Sequence, residues 1–133
     1  MRHEGLIGIL EPVVNLLAGL ANRVHEPEEL EPLALFMGRI IQASAEPIKQ
    51  DLEKNNPSRP WRVLHINRGI VATRTHNPEI MVQVFDDLVR YLPEDAPTFF
   101  AEGMQQMEEL NYPLPVRVIM GRYFDQWTRP RMH

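Results

Sequence analysis

The chain has 133 residues, of which 44% are hydrophobic and 24% charged, with a formal net charge of −4 and no cysteine. This length and composition predict one globular domain over residues 1–133 and exclude collagen-like, low-complexity and disulfide-stabilised chains. The lack of cysteine also excludes thiol catalysis, iron–sulfur clusters and cysteine-ligated zinc.

The N-terminal half is predicted to form helices that are separated by prolines. Apolar residues at helical spacing predict a first helix over residues 6–24, with Pro12 either kinking the helix or marking its true start. A second helix is expected to begin near Glu31 and to end before Pro47, because the residue before a proline disfavours the helical conformation. The other elements of this half are a short helix, a loop and a longer helix, at residues 47–54, 55–60 and 61–73.

The helix predicted between Pro78 and Leu92 has the clearest periodicity in the chain. Its apolar side chains occupy one arc, and its charged side chains fill the opposite arc. Asn77 is the expected N-cap, and Pro78 suits the first helical position.

Two further helices are predicted at residues 96–110 and 115–128. Asp95 is the expected N-cap of the first, and Asn111 is expected to end it in a left-handed conformation. The short turn before Asp95 implies antiparallel neighbours. The sequence therefore predicts an all-α bundle of about six helices, in which residues 77–128 form an antiparallel three-helix meander.

Charge is segregated along the chain. Residues 59–76 contain four arginines and no acid, whereas residues 77–113 contain eight acids and one arginine. Three interpretations remain open: pairing of basic and acidic helices within one chain, pairing between two copies, and an arginine site for an anion. The net acidity disfavours nucleic acid as a partner.

Most catalytic and metal-binding motifs that a sequence can reveal are missing, which leaves only metal ligands brought together from distant segments. Neither Ser44 nor Ser58 lies in a Gly-x-Ser-x-Gly motif, and the seven glycines form no phosphate-binding loop. None of the five histidines follows a glutamate by three residues, as a ferritin-type di-iron site requires. We therefore expect no metal and no cofactor, and no motif indicates catalysis.

The helix at residues 61–73 contains a candidate polar site. The buried arc predicted for this helix consists of Val63, Leu64, Ile66, Ile70 and Val71. Asn67 falls in the middle of this arc and Arg68 at its edge, and His65 lies one turn from Trp61 and from Arg68.

Two interpretations of this cluster remain open. In the structural one, Asn67 bonds to backbone groups, Arg68 pairs with a buried acid, and His65 is exposed. In the functional one, Trp61, His65, Asn67 and Arg68 form a pocket for a carboxylate or a phosphate, in which His65 moves a proton.

These patterns predict a small cytoplasmic interaction or accessory module that forms a homodimer or binds a protein partner. The cytoplasmic location is inferred from the cysteine-free sequence and from Glu11 and Asn15, which interrupt the first apolar run, so that neither a signal peptide nor a membrane span is expected. The first helix is a candidate dimer interface because its apolar face is wide. The alternative is a binding or catalytic domain for an anionic small molecule, with a polar pocket around His65, Asn67 and Arg68.

Overall fold

The computed structural model describes the backbone of residues 3–51 and 58–128 and the side chains of residues 10–44 and 60–128. Within these ranges the chain forms six helices, α1 (His3–Arg23), α2 (Pro27–Asp51), α3 (Ser58–Arg74), α4 (Pro78–Tyr91), α5 (Ala96–Glu109) and α6 (Leu114–Thr128). No β-strand occurs among the described residues, and the predicted all-α bundle of about six helices is confirmed.

Helix α3 occupies the centre of the helix packing. It packs against α1, α2 and α4, and its Gly69 lies so close to α5 that an added Cβ would come within 2.5 Å of the Phe99 ring. Helix α6 packs against both α4 and α5. Helices α4 and α5 meet through aromatic side chains, since the ring of Phe85 contacts those of Phe99 and Phe100. The last three helices therefore pack as one unit beside α3.

An aromatic cluster fills the core of this unit. The rings of Phe85, Phe99, Phe100 and Tyr123 contact one another with centroids 5.2 to 5.8 Å apart. Aromatic contacts of this kind add to the free energy gained by burying the rings. The Tyr123 hydroxyl donates a 2.6 Å hydrogen bond to Asp86, which ties α6 to α4. Burial, together with this bond, raises the pKa of Tyr123 well above its ordinary value.

The predicted start of α4 and end of α5 are both confirmed. The Asn77 side chain accepts a 3.0 Å hydrogen bond from the Glu79 backbone N–H, and Pro78 takes the first helical position. After α5, Asn111 adopts a φ of 53°, the left-handed conformation that asparagine tolerates better than most residues.

Three boundaries predicted in the N-terminal half are wrong. Helix α2 continues through Pro47 to Asp51, so the predicted break and the separate short helix at residues 47–54 are not found. Helix α3 begins at Ser58, inside the loop predicted over residues 55–60, and α2 begins at Pro27 rather than near Glu31. Of the two possibilities left open for Pro12, the structure excludes the start of the helix, because α1 runs through this residue. An internal proline removes one hydrogen bond and biases one neighbouring residue, and this local cost does not end a helix that packs along its other turns.

The predicted cap of α5 is also different in the structure. Asp95 precedes the helix but makes no side-chain capping bond. Its carboxylate instead accepts two hydrogen bonds from Arg62 of α3, at 2.7 and 3.2 Å. A charged partner from another helix has therefore replaced the local backbone donors.

Candidate functional site

The buried face of α3 overlaps the predicted arc only in part, because Leu64 and Val71 are buried as predicted but Val63 and Ile70 are not. Trp61, Leu64, His65, Arg68, Val71 and Ala72 are buried. In contrast, Val63 and Ile70 are 42% and 47% exposed, so their predicted burial is wrong. Apolar residues lie on two sides of this helix. Counting apolar residues in the sequence predicts burial of the side that contains Val63 and Ile70, because that side is richer in isoleucine and valine. The packing of α2 and α4 buries the other arc, which also contains the histidine and the arginine.

Arg68 bridges three helices from the inner face of α3. Its Nη1 donates a 2.7 Å hydrogen bond to Asp87 of α4, and its Nε donates a 3.3 Å bond to the Ala34 carbonyl of α2. The guanidinium lies against Gly38, where an added Cβ would be 2.6 Å from Nη2. The absence of a side chain at Gly38 therefore makes room for the arginine between α2 and α3.

His65 lies beside Arg68 in an aromatic cluster. Its ring centroid is 4.5 Å from that of Trp61 and 5.3 Å from that of Tyr91 on α4. Burial lowers the pKa of His65 from 6.5 to about 4, with a further contribution from the Arg68 guanidinium, while Asp87 acts in the opposite direction. The imidazole is therefore neutral at pH 7.

Two buried polar atoms of this cluster have no hydrogen-bond partner. They are Nε1 of Trp61 and Nε2 of His65. Such atoms are uncommon in protein interiors, because each loses its hydrogen bond to water without a replacement. They are the feature of this cluster that its observed contacts do not explain.

The structure brings together three of the four residues predicted to bind a ligand. Trp61, His65 and Arg68 share the inner face of α3, whereas Asn67 is only half-buried on a different face. Asn67 lines a shallow surface cleft with Arg62, Val63 and Ile66. The predicted pairing of Arg68 with a buried acid is found only in part, because its partner Asp87 has a side chain that is 27% exposed. His65 is 1% exposed and so is not the solvent-facing residue of the structural interpretation.

Arg62 and Arg74 of α3 also bond within the chain. Arg62 pairs with Asp95, and Arg74 donates to the Ala21 and Val24 carbonyls at the end of α1, at 2.7 and 2.5 Å. A basic side chain suits this position because the last carbonyls of a helix lack partners and bear partial negative charge. Much of the basic charge of α3 is thus used in intramolecular contacts.

The outer face of α3 has the opposite character. Val63, Ile66, Asn67 and Ile70, which we call the outer stripe, follow the spacing of residues that contact a neighbouring helix. Beside this stripe, α3 and α5 enclose an open cleft of about 310 Å³, with Ile66, Ile70, Phe99 and Leu110 among its lining residues. Glu102 and Gln106 of α5 also line this cleft. The sequence showed the apolar spacing of the stripe but not that the stripe faces outward.

Comparison with known protein families, with curated proteins and with solved structures finds no match to this chain. None of the helices described here combines the length and the apolar content needed to cross a membrane. Within the described ranges, no three histidine, aspartate or glutamate residues are grouped as they would be around a metal ion. The geometry of α3 is therefore the basis of the functional proposal.

Proposed function

We propose that this protein is a helical interaction module that self-associates, and that the outer stripe and the α3–α5 cleft form its contact surface. The observation that supports this most directly is the exposure of Val63 and Ile70 on the same side of a centrally packed helix. Apolar residues grouped on a surface favour contact with another protein, because their burial removes them from water. As part of this proposal we keep the cytoplasmic location inferred from the cysteine-free sequence.

Other large apolar side chains are exposed on three helices and in the turn between α5 and α6. The large ones outside α3 are Leu16, Leu20, Leu35, Phe36, Leu110, Leu114 and Val118. The outer stripe is distinguished from these by the adjoining cleft, which is large enough to admit side chains from a neighbouring helix. Leu110 extends this surface at the far end of the cleft.

Contact through the apolar stripe fits the structure better than contact through opposite charges alone. Three arginines of the basic segment, Arg62, Arg68 and Arg74, already bond to groups of their own chain. Surface ion pairs contribute only about 0–1 kcal/mol each and are screened by salt. In our proposal, apolar burial supplies most of the binding free energy, and charges at the rim select the orientation.

The test compares three single substitutions of exposed apolar residues by lysine. Ile70→Lys places a charge on the proposed surface, and Val118→Lys places one on α6. Leu16→Lys places one on α1, the interface suggested by the sequence. Native mass spectrometry and light scattering over a range of concentrations should show a dimer for the unchanged chain, Val118→Lys and Leu16→Lys. Ile70→Lys should be monomeric, with its melting temperature in dilute solution unchanged.

Two results would contradict this proposal. A chain that remains monomeric at every accessible concentration does not self-associate. A dimer that is lost in Leu16→Lys or Val118→Lys, but kept in Ile70→Lys, uses another surface.

A second candidate function is supported by the unpartnered atoms of the inner face. The Trp61 ring contacts His65, and the Nε atoms of both rings lack hydrogen-bond partners. The charge of the Arg68 guanidinium, a group that binds carboxylate and phosphate well, acts on the His65 imidazole. In this alternative, an anionic small molecule binds at Trp61, His65 and Arg68. Inorganic phosphate should then raise the melting temperature of the unchanged chain but not that of Trp61→Phe or Arg68→Lys. Equal shifts in all three proteins would exclude the inner face as the anion site.

A further inference from the structure

We infer that two copies of this chain pair through α3 in antiparallel orientation, with a two-fold axis passing between Ile66 and Asn67. This inference rests on the proposed self-association and adds the orientation and the register of the contact. It concerns the outer stripe, where Val63 and Ile70 are the outermost apolar residues and Ile66 and Asn67 lie midway between them.

The spacing of the stripe makes it self-complementary. A two-fold contact uses the same patch of both copies, so that residue i of one copy meets residue j of the other and the reverse. With the axis between Ile66 and Asn67, Val63 of each copy lies opposite Ile70 of the other. Both exposed apolar residues of α3 are then buried, and each fills space beside the cleft of the second copy.

Charge along the cleft favours the antiparallel orientation over the parallel one. Arg62 lies at the N-terminal end of the stripe, and Glu102 lines the cleft together with Ile66 and Ile70. Reversal of the second helix moves its Arg62 towards the level of Ile70 and hence towards Glu102. In a parallel pair, the two Arg62 side chains would instead lie at the same level, where like charges repel.

Asn67 has a defined role in this arrangement. It is half-buried, and its side chain forms no hydrogen bond with the rest of the described chain, although it lies between apolar residues. A side-chain amide both donates and accepts, so two asparagines on either side of a two-fold axis can bond to each other. A single polar residue in an apolar helix contact fixes the register, because any other alignment leaves its polar atoms without partners.

Cysteine cross-linking tests the orientation directly, because the natural chain has no cysteine. A disulfide requires Cα atoms within about 7 Å, whereas seven helical residues span about 10 Å. Under mild oxidation, Asn67→Cys should form a covalent dimer with itself. Val63→Cys mixed with Ile70→Cys should form a covalent heterodimer, while each alone forms far less. Val118→Cys is the control for random collision between exposed thiols.

The outcomes separate this inference from the proposed function. Self-linking of Val63→Cys and of Ile70→Cys, with no covalent heterodimer in the mixture, would show a parallel pair and overturn the inference while self-association stands. A dimer that none of these cysteines links would place the contact elsewhere. A chain that stays monomeric would overturn both.

Charge reversal provides an independent test of the same register. Arg62→Glu and Glu102→Arg should each weaken the dimer, and the double variant should recover most of the lost affinity. Circular dichroism verifies that each variant remains folded, since Arg62→Glu also removes the bond to Asp95. Additive losses in the double variant would show that the two residues do not meet.

Discussion

The two faces of α3 differ in the opposite sense from those of an ordinary amphipathic helix. The inner face buries a histidine and an arginine, whereas the outer face exposes a valine and an isoleucine. Arg68 is tolerated inside because Asp87 and the Ala34 carbonyl bond to it and Gly38 leaves space for it. The exposed apolar residues have no comparable partner in their own chain. The comparison shows that available partners, more than side-chain polarity, decide which face of a central helix is buried.

The largest difference between the two faces is expected in the free energy of unfolding when Leu64 of the inner face and Ile70 of the outer face are each truncated to alanine. Leu64 is fully buried, so Leu64→Ala should lower the free energy of unfolding by about 2–5 kcal/mol through lost burial and the cavity that remains. Ile70→Ala should cost less than about 1 kcal/mol in dilute solution, because the side chain is already half in water. Urea unfolding measures both, and equal losses would show that the outer stripe is buried within the chain.

The acid response of His65 is the second test of the inner face. Its pKa is about 4 when folded and 6.5 when unfolded, so the unfolded chain binds the extra proton between these values. Stability is therefore retained above pH 6.5 and lost as the pH falls towards 4, by about 3 kcal/mol in full. His65→Gln should remove most of this dependence, and the exposed His76→Gln should keep it. A flat profile for the unchanged chain between pH 6.5 and 4 would contradict the buried neutral imidazole.

The bridge between Arg68 and Asp87 should show strong coupling in a double-mutant cycle. Arg68→Met should cost about 2–3 kcal/mol, since it leaves Asp87 and the Ala34 carbonyl without their donor. The Asp87 side chain is 27% exposed, so water compensates part of the loss. Adding Asp87→Asn should cost less than it does alone, with a coupling free energy of about 1–3 kcal/mol. Purely additive losses would show that the ion pair does not stabilise the fold.

Sequence reasoning succeeded where local signals and packing agree. Helix α4 has one apolar arc, one charged arc and the Asn77 cap, and it was predicted nearly to the residue. The same agreement gave the helical class and the left-handed Asn111. Each of these features is determined by residues that are close together in the sequence, so a single sequence is enough to predict it.

The failures concern contacts between distant segments. Burial of His65 depends on Trp61 in the preceding turn and also on Tyr91 of α4. The Asp95 carboxylate bonds to Arg62, 33 residues away, instead of capping its own helix. No periodicity within α3 distinguishes its two apolar arcs, because the choice is made by the helices that pack against them. The sequence therefore places Trp61, His65, Asn67 and Arg68 together on α3, whereas the structure puts Asn67 on a different face from the other three.

The smallest change in the free energy of unfolding is expected when the ion pair between Arg62 and Asp95 is removed. Arg62 lies between the inner and the outer face of α3. The Arg62 side chain is 54% exposed, so its bond to Asp95 forms in competition with water. Arg62→Ala should therefore lower stability in dilute solution by less than about 1 kcal/mol, and salt should reduce the difference further.

In concentrated solution the same variant should shift the monomer–dimer equilibrium towards the monomer, because our proposal also places Arg62 opposite Glu102 of the second copy. Arg90→Ala, which removes an exposed arginine that lies over the Tyr91 ring, is the control for lost surface charge. If Arg62→Ala and Arg90→Ala dimerise equally well, Arg62 contributes only to its own chain and the charge argument for the antiparallel orientation fails.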